Sequence, residues 1–237
     1  MPITFPSDHD ETSTYFTLLD DFIYPATTAV SDVTAWSAVN DGATGTPVFQ
    51  DAAGGVFNVV TAAADNDYSA YKSLTQPFLF ASGKPLYMEA RFKVSEATTS
   101  ESTWWFGFSD TTTTGGMQAN TSGPLASYDG ALIWKTPETG MTVNAETSNA
   151  GTQSTISDFA TSVSAVWQKV ALYFDGAATT SYVTAHFYNG TTWAATNPIP
   201  ITLSGLEEMN LIFGIKAGPT AAAETLQIDY IRVVQAR

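Results

Sequence analysis

The chain contains no cysteine, so disulfides, thiolate metal sites and a cysteine nucleophile are all excluded. Its two histidines, His9 and His186, are not accompanied by a serine in a Gly-x-Ser-x-Gly elbow, so a nucleophilic triad has little to stand on. Each histidine reads as a surface or hydrogen-bonding residue, His9 in a polar arm and His186 on a strand face. Walker and dinucleotide glycine motifs are missing too. Charged residues are scarce at 14%, against roughly 25% in ordinary soluble proteins, so the polar surface falls to Ser, Thr, Asn, Gln and Gly. Positive charge is scarcest: 9 Lys and Arg face 23 Asp and Glu, a net charge of −14. Such a chain repels phosphate backbones, which argues against nucleic acid as a partner. No apolar run approaches the roughly 18 residues that span a bilayer, so no membrane partner is expected. The start, Met1 to Glu11, is acidic and lacks the basic and apolar regions of a Sec signal, and synthesis in a host cytoplasm is the expectation.

What is present is enough for a large core. The 237 residues are 44% hydrophobic and 13% aromatic, which suits one large β domain or two small ones and excludes wholesale disorder. Helical periodicity is almost absent; the best stretch, Asp158 to Ala165, is short and rich in Ser and Thr. Period-two alternation recurs instead. Leu86, Met88, Ala90, Phe92 and Val94 share one face, and Tyr87, Glu89, Arg91 and Lys93 the other. Trp104, Phe106 and Phe108 alternate with Trp105, Gly107 and Ser109. Val183, Ala185 and Phe187 lead into Asn189-Gly190, which predicts a type I′ hairpin with the return strand starting at Thr191. Further strands are predicted at Phe16 to Ile23, Trp36 to Val39, Pro47 to Gln50, Val56 to Thr61, Ser69 to Ser73, Ala131 to Lys135, Met141 to Ala145, Val170 to Phe174, Asn210 to Lys216 and Leu226 to Ile231. About a dozen short strands with turns between them predict an all-β sandwich or barrel. Residues 1–14 lack alternation and read as an N-terminal arm, with one β domain over residues 15–237. The Thr-rich stretches Thr98 to Thr103 and Thr111 to Thr114, and Ala221 to Ala223, read as exposed loops.

Two segments carry a family pattern. Pro85 to Val94, with its Glu89-Ala90-Arg91-Phe92-Lys93 strand, precedes the aromatic run Trp104 to Phe108; Gln227 to Gln235 supplies Asp229-Tyr230-Ile231-Arg232-Val233. Both resemble strands of the laminarinase and β-glucanase family, which implies a concanavalin A-like jelly-roll β-sandwich of two antiparallel sheets. The wider layout, from Asp20-Asp21-Phe22 through Asp51 to Gly55, Asp129-Gly130 and Phe213-Gly214-Ile215-Lys216 to Gln235-Ala236-Arg237, resembles virion structural proteins of tailed phages. That resemblance implies a capsid decoration or cement protein.

The chemistry separates these implications. Family glucanases carry Glu-x-Asp-x-x-Glu on the strand after the aromatic one, supplying a nucleophile and an acid/base about 5–5.5 Å apart. Here the corresponding stretch is Ser109 to Gly116, with Asp110 its only carboxylate, so the chain reads as a non-enzyme. Asp229 matches a position at which glucanase relatives bind a structural calcium; the alternative is an outward Asp paired with Arg232 or Lys216. Asp65-Asn66-Asp67 lacks the glycine and distal glutamate of an EF-hand loop and reads as a turn. Trp104, Trp105, Trp134, Trp167, Trp193 and Tyr188 could form a sugar-stacking platform or the core, since alternating strand aromatics are usually core. Trp104 and Trp167 read as core, whereas Trp193 and Tyr188, beside a hairpin tip, are the binding candidates, for a glycan or as a subunit anchor.

The first expectation is therefore a non-enzymatic phage virion protein on the head surface. It would bind the major capsid protein and itself, as a homo-oligomer with a trimer favoured, and need no cofactor. The alternative is a carbohydrate-binding module, or a phage fibre or tail surface protein recognising host polysaccharide.

Overall fold

The computed structural model describes residues 15–23, 35–41, 47–50, 54–96, 101–118, 123–137, 140–219 and 222–237. The expected arm, with His9, lies outside the described residues, as do parts of the 98–103 and 221–223 loops. Two antiparallel sheets face each other. The first runs in space through β13 (Trp193–Ala195), β12 (Ser181–Tyr188), β11 (Gln168–Phe174), β6 (Leu86–Ser95), β16 (Thr225–Ala236), β4 (Val56–Val60) and β3 (Val48–Gln50). In it, β1 (Tyr15–Asp20) also pairs with β16, and β14 (Ile199–Ile201) with β12. The second runs through β10 (Thr152–Thr161), β9 (Thr142–Asn149), β8 (Gly130–Lys135), β7 (Thr103–Ser109), β15 (Asn210–Lys216), β5 (Tyr68–Ser73) and β2 (Trp36–Asn40).

Alternation explains most of this. In β6, Leu86, Met88, Ala90, Phe92 and Val94 are at most 2% exposed, and the intervening side chains reach solvent. They meet the inner faces of β7 and β15, where aromatic rings interlock: Phe92 with Trp104 at 4.8 Å, Trp104 stacked on Phe187 at 5.9 Å, Phe106 stacked on Phe213 at 6.1 Å. Each such ring buries a large apolar area, and each ring pair adds roughly 0.5–1.5 kcal/mol beyond that burial. The partner of β16 changes along its length: β4 pairs with its first four residues and β1 with its last six. A bulge at Asp229, between Ile228 and Tyr230, marks the change on the β6 side.

Several expectations need correcting. The Asp158 to Ala165 stretch is not helical. Its first part belongs to β10, whose pairing with β9 shifts between Ile156 and Ala160, and Asp158 takes a φ of 57°. That bulge scrambles the period-two signal, which is why the strand is hidden in the sequence. The hairpin after β12 is not type I′, because Gly190 has a positive φ and Asn189 does not. Asn189 instead accepts the amide hydrogens of Thr191 and Thr192 on Oδ1, closing a four-residue loop in which Tyr188 pairs with Trp193. Ser102 and Thr103 are buried rather than part of an exposed loop. Every residue of β7 is buried, not only alternate ones. The segment from Thr111 to Leu125 explains this, since its described parts pack Met117 and Leu125 into a second cluster with Trp105, Leu132, Trp134 and Ile212 on the sheet's outer face.

Candidate functional site

Three places merit comparison: the outer face of the second sheet, the seam between the sheets, and the outer face of the first sheet. On the second sheet's outer face, Trp105 and Trp134 lie opposite each other in register, and so do Leu132 and Glu146. Both tryptophans are covered. A Cβ on Gly115 would lie 2.9 Å from the Trp105 ring, and one on Gly123 would lie 3.0 Å from the Trp134 indole. Close approach of the overlying backbone thus needs glycine at both points. Glu146 is a carboxylate the sequence reading passed over, because the strand predicted to end at Ala145 runs on to Asn149. The alternation Asn144-x-Glu146-x-Ser148 was the available signal. Glu146 accepts hydrogen bonds from Tyr128 Oη at 3.1 Å and Thr155 Oγ1 at 2.6 Å, and burial pushes its carboxyl above the usual glutamate range. Its neighbours on the same face of β9 are Asn144 and Ser148, so the second carboxyl that retaining hydrolysis requires is missing there. The stretch corresponding to the glucanase catalytic strand, Ser109 to Gly116, ends in a 3-10 turn, Thr113–Gly116, rather than a strand. Asp110 accepts the Asp129 amide hydrogen, and Asp129 those of Ala150 and Glu207, so these carboxylates hold loops together.

The shift at Glu146 gives a prediction. A carboxyl raised on folding is protonated in both states below about pH 4.5; above that, the unfolded chain loses its proton first, so stability falls as pH rises. Glu146→Gln is therefore expected to gain stability relative to the parent on going from pH 4 to pH 7, read as the difference in Tm at the two pH values. A difference that moves the other way would contradict burial as the dominant effect.

The seam between the sheets contains a cavity of about 500 Å³, lined among others by Thr147, Asn149, Thr152, Thr180, Pro200 and Thr202. None of its lining residues is charged or aromatic. Asn149 is spent on the Thr202 and Ser204 carbonyls, at 2.8 and 3.0 Å. The cavity can hold water or a small neutral polyol, but it offers no stacking face.

The first sheet's outer face is the most elaborated. Trp193 is 54% exposed, the most exposed aromatic side chain among the described residues, and its ring lies 5.3 Å from that of Tyr188. Tyr188 Oη is anchored on the Gly190 carbonyl at 2.8 Å. Trp167, expected in the core, is instead half-buried on this face, with Arg91 4.6 Å and Lys93 5.1 Å from its ring centre. Glu89 accepts hydrogen bonds from Tyr230 Oη and from Tyr87 Oη at 2.6 Å, with Lys169 Nζ at 3.4 Å. Burial acts to raise the Glu89 pKa, but those donors outweigh it and hold the carboxyl below its ordinary value. His186 is pushed down by burial, so it is neutral at neutral pH. Asp229 pairs with Arg91 at 2.6 Å rather than with Arg232 or Lys216. A calcium ion wants six to eight oxygen ligands. Asp229 already carries a guanidinium, and among the described residues no group of three or more His, Asp or Glu could hold a metal.

No protein-family model and no curated protein matches the chain. Solved structures do. Lectin II from Ulex europaeus superposes with a TM-score of 0.64 at 12% identity, over 94% of this chain and 99% of that one. Peanut lectin gives 0.61 at 13% identity, over 93% and 97%. The Emp46p carbohydrate recognition domain gives 0.52 at 12%, over 87% and 91%. The fold is a concanavalin A-like jelly roll. Identities this low carry the fold and nothing finer, so the chemistry has to be argued from this chain's own residues.

Proposed function

We propose that this protein is a non-catalytic carbohydrate-binding module whose glycan contact is the Trp193–Tyr188 pair. The observation that carries the reading is an indole left more than half exposed beside a second ring, at a strand edge, in a fold shared with lectins. Sugar rings present CH faces that pack on aromatic rings, and removing such surface from water is favourable. Tyr188 is held by its own hydrogen bond to Gly190, so the platform is preorganised. The lectin structures support this reading over a capsid-decoration role, which has no observation of its own to favour it.

Trp193→Ala is expected to weaken glycan binding by about tenfold or more, as truncating an aromatic hot spot does. Because the side chain lies outside the core, Tm should stay close to that of the parent. A glycan array followed by titration of the best ligand provides the measurement. Binding that survives Trp193→Ala unchanged, or an array on which nothing binds, would refute the reading.

A further inference from the structure

The pairing register places residues from five strands in one line across the first sheet's outer face. Trp193 pairs with Tyr188, Tyr188 with Lys169, Lys169 with Arg91, and Arg91 with Tyr230. At about 4.8 Å between strands this line is roughly 19 Å long, an extended track rather than a point site. It begins at the exposed ring pair and ends among cations. Arg91, Lys93, Lys169 and Arg232 are four of the chain's 9 Lys and Arg, gathered on one face of a protein whose net charge is −14. The outward carboxylates on the strands of this face, among the described residues, are Glu89 and Asp229, and both are engaged: Glu89 by Lys169 and Asp229 by Arg91. Lys93 and Arg232 make no ion pair among the described residues, and they flank the line on either side. Lys93 lies two residues from Arg91 along β6, and Arg232 lies opposite Glu89 on β16. Two positive charges without an ion-pair partner among the described residues thus lie toward the far end of the track from the exposed ring pair.

Resting on the glycan-binding reading above, we propose that this face binds an extended acidic polysaccharide built of uronic acids. Its sugar rings would lie on Trp193 and Tyr188 and its carboxylates would meet Lys93 and Arg232. A uronic acid suits both halves of the track, because its CH face stacks while its carboxylate projects from the ring edge. The acidity of the rest of the molecule does not forbid this. At physiological ionic strength charges more than about 8 Å apart are largely screened, whereas contacts made within the track are not.

The test compares tetragalacturonate with the same tetramer fully methyl-esterified, which keeps the ring faces and removes the charge. Titrations at physiological salt are expected to show the acid binding about tenfold more tightly, the size expected from two exposed charge pairs. The Lys93→Gln, Arg232→Gln double variant should bind both tetramers equally, with a melting temperature lowered by no more than the loss of the exposed Lys93–Trp167 contact allows. Trp193→Ala should weaken both. Equal affinity of the parent for acid and ester, or a preference that survives the double variant, overturns the acidic-glycan inference and leaves the glycan reading intact if Trp193 still matters. Binding only of neutral glycans from the array has the same consequence. Failure to bind either tetramer or any arrayed glycan removes both.

Discussion

Glu96→Ala is expected to destabilise the fold by about 3–5 kcal/mol, the usual cost of stripping one partner from a buried ion pair. Lys135 points into the sandwich from the end of β8, opposite Trp104, and its side chain is 0% exposed. Its ammonium lies 2.7 Å from Glu96 Oε1 and 2.7 Å from the Ser102 carbonyl. Glu96 also accepts the Ser102 amide at 3.0 Å and its hydroxyl at 2.6 Å. Burial pulls Lys135 below the ordinary lysine range, and Glu96 opposes that pull. Without Glu96 the lysine keeps only the Ser102 carbonyl and the weaker pull of Glu224 and Glu101, so burial drives its pKa further down. The unfolded chain then binds more protons than the folded one at neutral pH, so the variant's stability rises as pH climbs toward the ordinary lysine range. Denaturant melts at pH 6 and pH 9.5 should show the larger deficit at pH 6. Glu96→Gln, which can retain a Ser102 contact but not the charge, separates the two contributions. A deficit below about 1 kcal/mol, or one indifferent to pH, would mean that the pair is not buried as described.

Gly107→Ala is the second change expected to be severe, for steric rather than electrostatic reasons. Gly107 sits in the middle of β7 with a φ of 151°, a conformation that side chains disfavour, and an added Cβ would lie 2.2 Å from the Ala131 carbonyl oxygen. That neighbour is backbone in β8, so it can yield only by separating two central strands. Backbone strain and overpacking together should cost roughly 2–6 kcal/mol. Gly83→Ala is the control: its φ is 74°, but nothing lies within 4 Å of the added carbon, so only the conformational cost of about 1–2 kcal/mol remains. Comparable losses at the two glycines in chemical denaturation would count against the close approach of β7 and β8.

The strand β6 was legible because it presents a clean period-two pattern, and the structure buries the residues that pattern assigned to the core. In β16 the alternation of Leu226, Ile228 and Tyr230 against Gln227, Asp229 and Ile231 holds only as far as Ile228, because the bulge at Asp229 turns Tyr230 outward and buries Ile231. The strand β10 was not legible, because a bulge breaks its alternation, and Glu146 was missed because β9 was predicted four residues too short. Trp193 and Tyr188 could be named in advance from their place beside a turn. Trp167 could not be placed, since nothing local says that Arg91 and Lys93 will hold its ring.

Composition and periodicity alone determined an all-β sandwich or barrel with aromatics enough for a large core and little positive charge. Side-chain alternation is a local property, and it records which face of a strand is buried. Only the tertiary structure decided which residues meet across strands: that Arg91 neutralises Asp229 from 138 residues away, and that Lys93 and Arg232 flank a track beginning at Trp193. Strand order across a sheet is set by how the two sheets pack as a whole, and no single segment of the chain encodes it.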